Sequence, residues 1–134
     1  MKNCPFCQIV KDKLPAHKVW EDENHLSFLS IFPNTEAFTV VVSKKHYSSN
    51  FTKVPDEVLR AMIVAAKKTA QKIIEAYPET ERVGLIIEGE GVNHLHFKLI
   101  PMHPQSYKGF LSSKEGLRAD DEKLAQIAKK IRSS

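Results

Sequence analysis

Residues 91–101 read Gly-Val-Asn-His-Leu-His-Phe-Lys-Leu-Ile-Pro, and polar and apolar side chains alternate through them. His94, His96 and Lys98 interleave with Leu95, Phe97 and Leu99, the period of a strand with one apolar face. The apolar face predicts packing on a core. The opposite face is expected to show two imidazoles and an ammonium in a row, each roughly 6.6–7 Å from the next. Such a row suits an anionic ligand, and an imidazole in it can attack an electrophile.

The same reading places the other elements. The β-branched run over 38–42 predicts a central strand. Shorter strands are expected over 17–20 and 25–30, around the acidic turn at 21–24, and another over 83–87. Residues 33–36 read as a loop and Glu88-Gly89-Glu90-Gly91 as a tight turn into the histidine strand. Leu59, Met62, Ala66, Ala70, Ile73 and Tyr77 recur at helical spacing. They predict a long helix over 55–76, with Pro55 at its first position and Asp56 and Glu57 at its positive end. A short helix over 7–13, a loop over 104–113 and a terminal helix over 120–131 complete the chain. Strands dominate the middle and a long helix joins two of them. The pattern predicts a single α+β domain over 1–134, with a mainly antiparallel sheet of about five strands, one long packed helix and a C-terminal helix.

Composition narrows the class. The 134 residues are 42% hydrophobic and 27% charged, as in a globular domain with one core. No apolar run approaches a membrane span, and Met1-Lys2-Asn3-Cys4-Pro5 shows no apolar signal region, so a cytoplasmic location is expected. The net charge of +4 points only weakly to an anionic partner. Aromatic residues do not interleave with the basic ones, and nucleic acid is not expected as a partner.

Cys4 and Cys7, in Cys-Pro-Phe-Cys, are the two cysteines. In a reducing compartment a lasting disulfide is not expected. The spacing leaves three readings open: a redox dithiol, free thiols, or half of a zinc site completed by histidines elsewhere. A redox dithiol normally follows a strand, and only three residues precede this pair.

Five segments taken in order resemble the histidine-triad family of nucleotide hydrolases and transferases. They are Cys4-Pro5-Phe6-Cys7-Gln8-Ile9-Val10, Lys18-Val19-Trp20-Glu21-Asp22, Leu29-Ser30-Ile31-Phe32-Pro33, Val40-Val41-Val42-Ser43-Lys44-Lys45-His46, and His94-Leu95-His96-Phe97-Lys98-Leu99-Ile100-Pro101. The resemblance implies the histidine-triad fold, a homodimer, and a purine nucleotide or dinucleoside polyphosphate as substrate. It implies that His96 attacks an α-phosphorus, in a phosphoanhydride or a phosphoramidate, to form a nucleotidyl-histidine that water cleaves. It also implies a closed, structural zinc site of Cys4, Cys7, His46 and His94, and no organic cofactor.

The chain departs from the family at several positions. Lys98 stands where the third signature histidine is usual. Ser30 replaces an Asp that holds the ribose hydroxyls. Ala37-Phe38 replaces a Gly-His, and the usual Gly-Gln-Ser/Thr approach to the signature is absent. Lys98 is expected to neutralise a phosphate oxygen beside His96. Ser30, Asn93, Lys98 and His103 are candidate nucleotide contacts. The departures also support an alternative, a zinc-stabilised nucleotide-binding module with little or no turnover.

Overall fold

The computed structural model describes residues 3–105, 107, 109 and 116–134. Part of the loop expected over 104–113 lies outside them. Five strands form one antiparallel sheet: β1 (Lys18–Glu21), β2 (His25–Leu29), β3 (Thr39–Ser43), β4 (Val83–Ile86) and β5 (His96–Pro101), in the order β1-β2-β3-β5-β4. The β-branched strand β3 sits at the centre, as its composition predicts. Among the described residues three α-helices complete the fold: α1 (Pro5–Val10), α2 (Asp56–Ala76) and α3 (Asp121–Arg132).

The sheet has two different faces, and the period-two pattern assigns them. Val41, Leu29, Phe97 and Leu99 join Met62, Ala66 and Ile73 of α2 and Leu124, Ala128 and Ile131 of α3 in the larger core. Leu26, Phe28, Val40 and Val42 face the other way and pack against Phe6, Ile9 and Val10 of α1. Phe97 and Leu95 are fully buried and Leu99 nearly so. The apolar half of the alternation therefore packs on the core.

The polar half is split. Strand β5 begins at His96, and His94 lies in the bend before it. The Leu95 N–H is used by the Tyr47 carbonyl, at 2.9 Å. His94 is thereby turned toward α1, and the expected row of three becomes a pair, His96 and Lys98.

Helix ends follow local chemistry. Cys4 caps α1, its sulfur accepting from the Cys7 N–H at 3.3 Å, and Pro5 takes the first turn. This start is two residues earlier than the sequence predicts. Asp12, at φ 58°, closes the turn after it. Pro55 is the N-cap of α2 rather than its first residue, and Asp120 caps α3 through the Lys123 N–H.

Candidate functional site

Two sites meet at the start of β5. The first gathers Cys4, Cys7, His46 and His94, whose ligand atoms all lie within 4.8 Å of one another. The Cys4 Sγ lies 3.3 Å from His94 Nδ1, and the Cys7 Sγ lies 3.4 Å from both His94 Nδ1 and His46 Nδ1. A tetrahedral zinc with S at about 2.3 Å and N at about 2.0–2.1 Å sets S and N ligands about 3.5 Å apart. The donor set fits that ion. His94 Nε2–H donates to the Ser43 carbonyl at 2.6 Å, which leaves the Nδ1 lone pair facing the sulfurs, the usual support for a ligating imidazole. Burial holds the His94 ring below the ordinary imidazole value, against the pull of that carbonyl. Burial and then Cys4 push the Cys7 thiol up, so forming its thiolate calls for a neighbouring cation. Four protein ligands leave no open position, so such an ion would be structural and would tie α1 to the bend that leads into β5.

The second site is a cavity of about 940 Å³ on the sheet face that carries α1. Ladder pairing explains its floor. Ile86 pairs with Lys98, Lys98 with Val40, and Val40 with Phe28, so these four side chains form one row across four strands. All four line the cavity, with Phe6 and Ile9 of α1 as one wall and Ser30, Ile31 and Phe32 beyond. Its floor reaches from β5 across β3 and β2 to the start of β1, three strand spacings or about 14 Å. One end holds His96, Lys98, Glu88 and Glu90. The other holds His17, Arg118 and Asp121. A long apolar trough with different polar groups at its ends suits an elongated ligand of mixed polarity.

His96 is buried, with Phe6 edge-on at 5.3 Å between ring centroids. Its Nδ1–H donates to the His94 carbonyl at 2.7 Å, which leaves Nε2 with the lone pair. Burial lowers the ring's pKa, helped by the Lys98 charge. The His94 carbonyl, the Glu88 carboxylate and the Glu90 carbonyl pull the other way and do not outweigh it. A ring held below the ordinary imidazole value favours the neutral form, the form that carries a free lone pair.

Lys98 shares the cavity with His96 but is not an unpaired cation. Its Nζ contacts the Glu88 carboxylate. Glu88 was hidden in the sequence, where residues 88–91 read as turn composition. Glu90 lines the same end, and its backbone carbonyl faces His96. The expectation of an anion-attracting row is therefore corrected: this end carries an ammonium offset by the Glu88 carboxylate, beside the His96 imidazole.

The other candidates divide. Ser30 lines the cavity, and its Oγ accepts from the Phe32 N–H at 3.1 Å. Asn93 does not line it; its Oδ1 accepts from the Ser49 N–H at 3.1 Å, bracing the 88–91 turn. His103 is corrected to a structural role. It is buried against Tyr77, its Nε2–H donates to the Glu36 carbonyl at 2.8 Å, and its Nδ1 accepts from Thr80 Oγ1 at 2.6 Å. Both nitrogens are committed, away from the cavity.

Sequence reasoning assigned nothing to His17, Arg118 or Asp121. His17 Nε2 lies 2.9 Å from Asp121 Oδ1, and Arg118 Nη2 donates to both carboxylate oxygens at 3.2 and 3.3 Å. No local spacing could have joined residues about a hundred positions apart.

A single sheet with this strand order, a buried imidazole on one face and a cysteine-histidine cluster beside it define a histidine-triad protein. The HIT domain model matches residues 11–105, and the chain belongs to the HIT family. It is 38% identical over 104 residues to an uncharacterized HIT-like protein of Methanocaldococcus jannaschii, covering 75% of this chain and 79% of that one. It is 30% identical over 129 residues to the adenosine 5'-monophosphoramidase of Saccharomyces cerevisiae, covering 96% and 80%. A zinc-bound histidine triad family protein of Mycobacterium smegmatis superposes with a TM-score of 0.80 at 25% identity, over 98% of this chain and 92% of that one.

Proposed function

We propose that this chain hydrolyses or transfers nucleotidyl groups through a covalent intermediate on His96, with nucleoside phosphoramidates as its preferred substrates. The observation that carries the reading is the His96 ring: buried, neutral, fixed through Nδ1 and facing a cavity large enough for a nucleotide. In the first step Nε2 attacks the α-phosphorus and expels the leaving group. In the second, water attacks the same phosphorus and returns the electron pair to the ring. The long apolar floor suits a base, and Ser30 offers its hydroxyl to the ribose.

The charge at the reacting end favours an amine over a phosphate chain as leaving group. Glu88 already offsets Lys98. A like charge about 7 Å from an arriving phosphate costs on the order of 2 kcal/mol at an effective dielectric of 20, less with solvent screening. The similarity to an adenosine 5'-monophosphoramidase supports the same choice.

We assign zinc to Cys4, Cys7, His46 and His94 as a structural ion. We also place the chain as a homodimer, with the open edge of β4 and the exposed Ile63 and Ile74 of α2 as the contact surface. The two isoleucines are about 20° apart around the helix. Among the described residues no helix is long and apolar enough to cross a membrane.

Incubation with an adenosine 5'-phosphoramidate of a fluorogenic amine tests the reading. Release of the amine with formation of AMP is the expected result. Tight binding of AMP without any release would instead support the zinc-stabilised nucleotide-binding module.

A further inference from the structure

The far end of the trough carries hydrogen-bonding groups that the reaction at His96 does not use. Arg118 is set there by the backbone on both of its sides. The Ala119 N–H donates to the Ile31 carbonyl at 2.8 Å, and the Gly116 N–H to the Phe32 carbonyl at 3.3 Å. A Cβ on Gly116 would lie 2.0 Å from the Pro33 carbonyl oxygen, so only glycine lets the two segments come this close. The segment that carries Arg118 thus runs beside the stretch that follows Ser30.

The side chain is fixed as well. Arg118 Nη2 donates to both Asp121 oxygens, and Nη1 donates to the Ala119 carbonyl. His17 Nε2 meets Asp121 Oδ1 at 2.9 Å. His17 first, and Arg118 after it, hold the Asp121 carboxyl below the usual carboxylate range, so it stays ionised and keeps its hold on the guanidinium. The balance of donors and acceptors is then one-sided. Both carboxylate oxygens are in use, Oδ1 twice. The guanidinium fork has N–H donors beyond those bonds and accepts nothing. This end therefore offers hydrogen bonds to a ligand more readily than it takes them.

A nucleotide with its phosphorus at His96 and its base on Phe28 and Val40 turns the edge remote from the sugar toward Arg118. In a purine that edge carries the C6 substituent. A 6-oxopurine presents acceptors there, O6 and the neighbouring N7, the pair that an arginine fork fits. A 6-aminopurine presents an amino group instead, which sets N–H against N–H. We propose that Arg118 reads the C6 substituent of the base and makes 6-oxopurine nucleotides, the guanosine and inosine derivatives, the preferred substrates over adenosine derivatives, with Asp121 as the residue that positions the guanidinium. The proposal rests on the nucleotidyl-transfer reading above and adds the base to it.

The 5'-phosphoramidates of guanosine, inosine and adenosine with one fluorogenic amine test this, because they differ only in the base. Inosine shares O6 with guanosine and lacks its 2-amino group. The expected kcat/KM is similar for guanosine and inosine and about tenfold lower for adenosine, the scale of one arginine contact to a base edge at a partly exposed side chain. Arg118→Ala should bring the three values within about twofold of one another. Asp121→Asn should reduce the preference to about threefold, because the charge-assisted bonds are lost, and Asp121→Glu should restore most of it. Thermal melting reports that each variant is folded. Equal values in the wild type, a preference for adenosine, or guanosine favoured without inosine would each overturn the reading of the C6 substituent. A preference that survives Arg118→Ala would overturn the part of Arg118, and one untouched by Asp121→Asn would overturn the positioning role. If none of the three releases its amine, the nucleotidyl-transfer reading fails by itself. Calorimetric titration of the wild type with GMP, IMP and AMP then decides the base preference separately: tighter binding of GMP and IMP upholds it, and equal affinities overturn it.

Discussion

The cysteine-histidine cluster and the cavity stand side by side, and each takes one imidazole from the same short stretch. Two residues separate His94 from His96, yet their hydrogen bonds give them opposite tasks. His94 gives its Nε2–H to Ser43 and turns Nδ1 toward two sulfurs. His96 gives its Nδ1–H to the His94 carbonyl and keeps Nε2 for the cavity. In both, a backbone carbonyl fixes the tautomer, and the nitrogen left over defines the site. The identity of a histidine therefore says less than the acceptor that its N–H finds. The His94 carbonyl also links the sites physically, since what holds His94 holds the acceptor of His96.

The largest expected effect breaks the cavity half of this comparison. His96→Ala should lose at least ~10⁴-fold in turnover, because it removes the imidazole that carries the nucleotidyl group in the proposed reaction. Zinc content should stay at the wild-type level, measured by elemental analysis, because His96 is not among the four ligands. Rapid quench with labelled substrate should trap a nucleotide on wild-type protein and none on the variant. Full activity in His96→Ala would remove the nucleophile from the account.

Beneath both sites lies the buried face of β5. Phe97 is fully buried between the sheet and α2. Phe97→Ala should cost about 3–5 kcal/mol, the usual range for truncating a large core side chain. Denaturant unfolding measures it. A cost below about 1 kcal/mol would mean that the strand does not depend on this face, and the register that separates Phe97 from His96 and Lys98 would lose its support.

These two residues were legible in the sequence for different reasons. Phe97 follows from period two alone, as do Leu99 and Val41, because burial of one sheet face is a local pattern. His96 needed the resemblance as well. What stayed hidden depends on long-range partners. His94 leaves the strand because Tyr47 takes the next N–H and Ser43 takes its ring proton, contacts that no spacing rule contains. Glu88 looked like turn composition; it lies two residues past the end of β4, and its carboxylate meets Lys98. His103 sits close in sequence to the signature strand, yet Thr80 and Glu36 claim both of its nitrogens. Ala37 shows a departure of another kind. It holds φ +66° where the family usually has Gly, a backbone region that costs other residues of order 1–3 kcal/mol.

The cluster half of the comparison breaks more gently. A Cys4→Ser, Cys7→Ser double variant removes both thiolates and should lose bound zinc. The domain keeps its large core, so the expected loss is about 2–4 kcal/mol rather than global unfolding. Elemental analysis and thermal melting read the two parts. Activity should fall as well, since the His94 carbonyl that orients His96 is then less firmly held. A variant unchanged in metal content and melting temperature would separate the cluster from the fold.

The smallest effect belongs to the other flank of the trough. Ser30 stands where the family usually has the Asp that holds the ribose, and its Oγ already accepts the Phe32 N–H. A neutral hydroxyl so engaged has one O–H left to give. Ser30→Ala should therefore weaken substrate binding by about 0.5–1.5 kcal/mol, the worth of one ordinary hydrogen bond, seen as a rise in KM with kcat little changed. Ser30→Asp sharpens the point. A carboxylate offers acceptors to both ribose hydroxyls, and charge-assisted bonds are roughly twice as strong as neutral ones. It should lower KM for the ribonucleotide substrate and leave KM for its 2'-deoxy analogue less changed. If both sugars respond alike, residue 30 does not face the ribose, and the orientation of the nucleotide along the floor must be reversed. His96 would keep its place in that case. Its role depends on the neutral ring and the carbonyl that fixes it, whichever end of the trough receives the base.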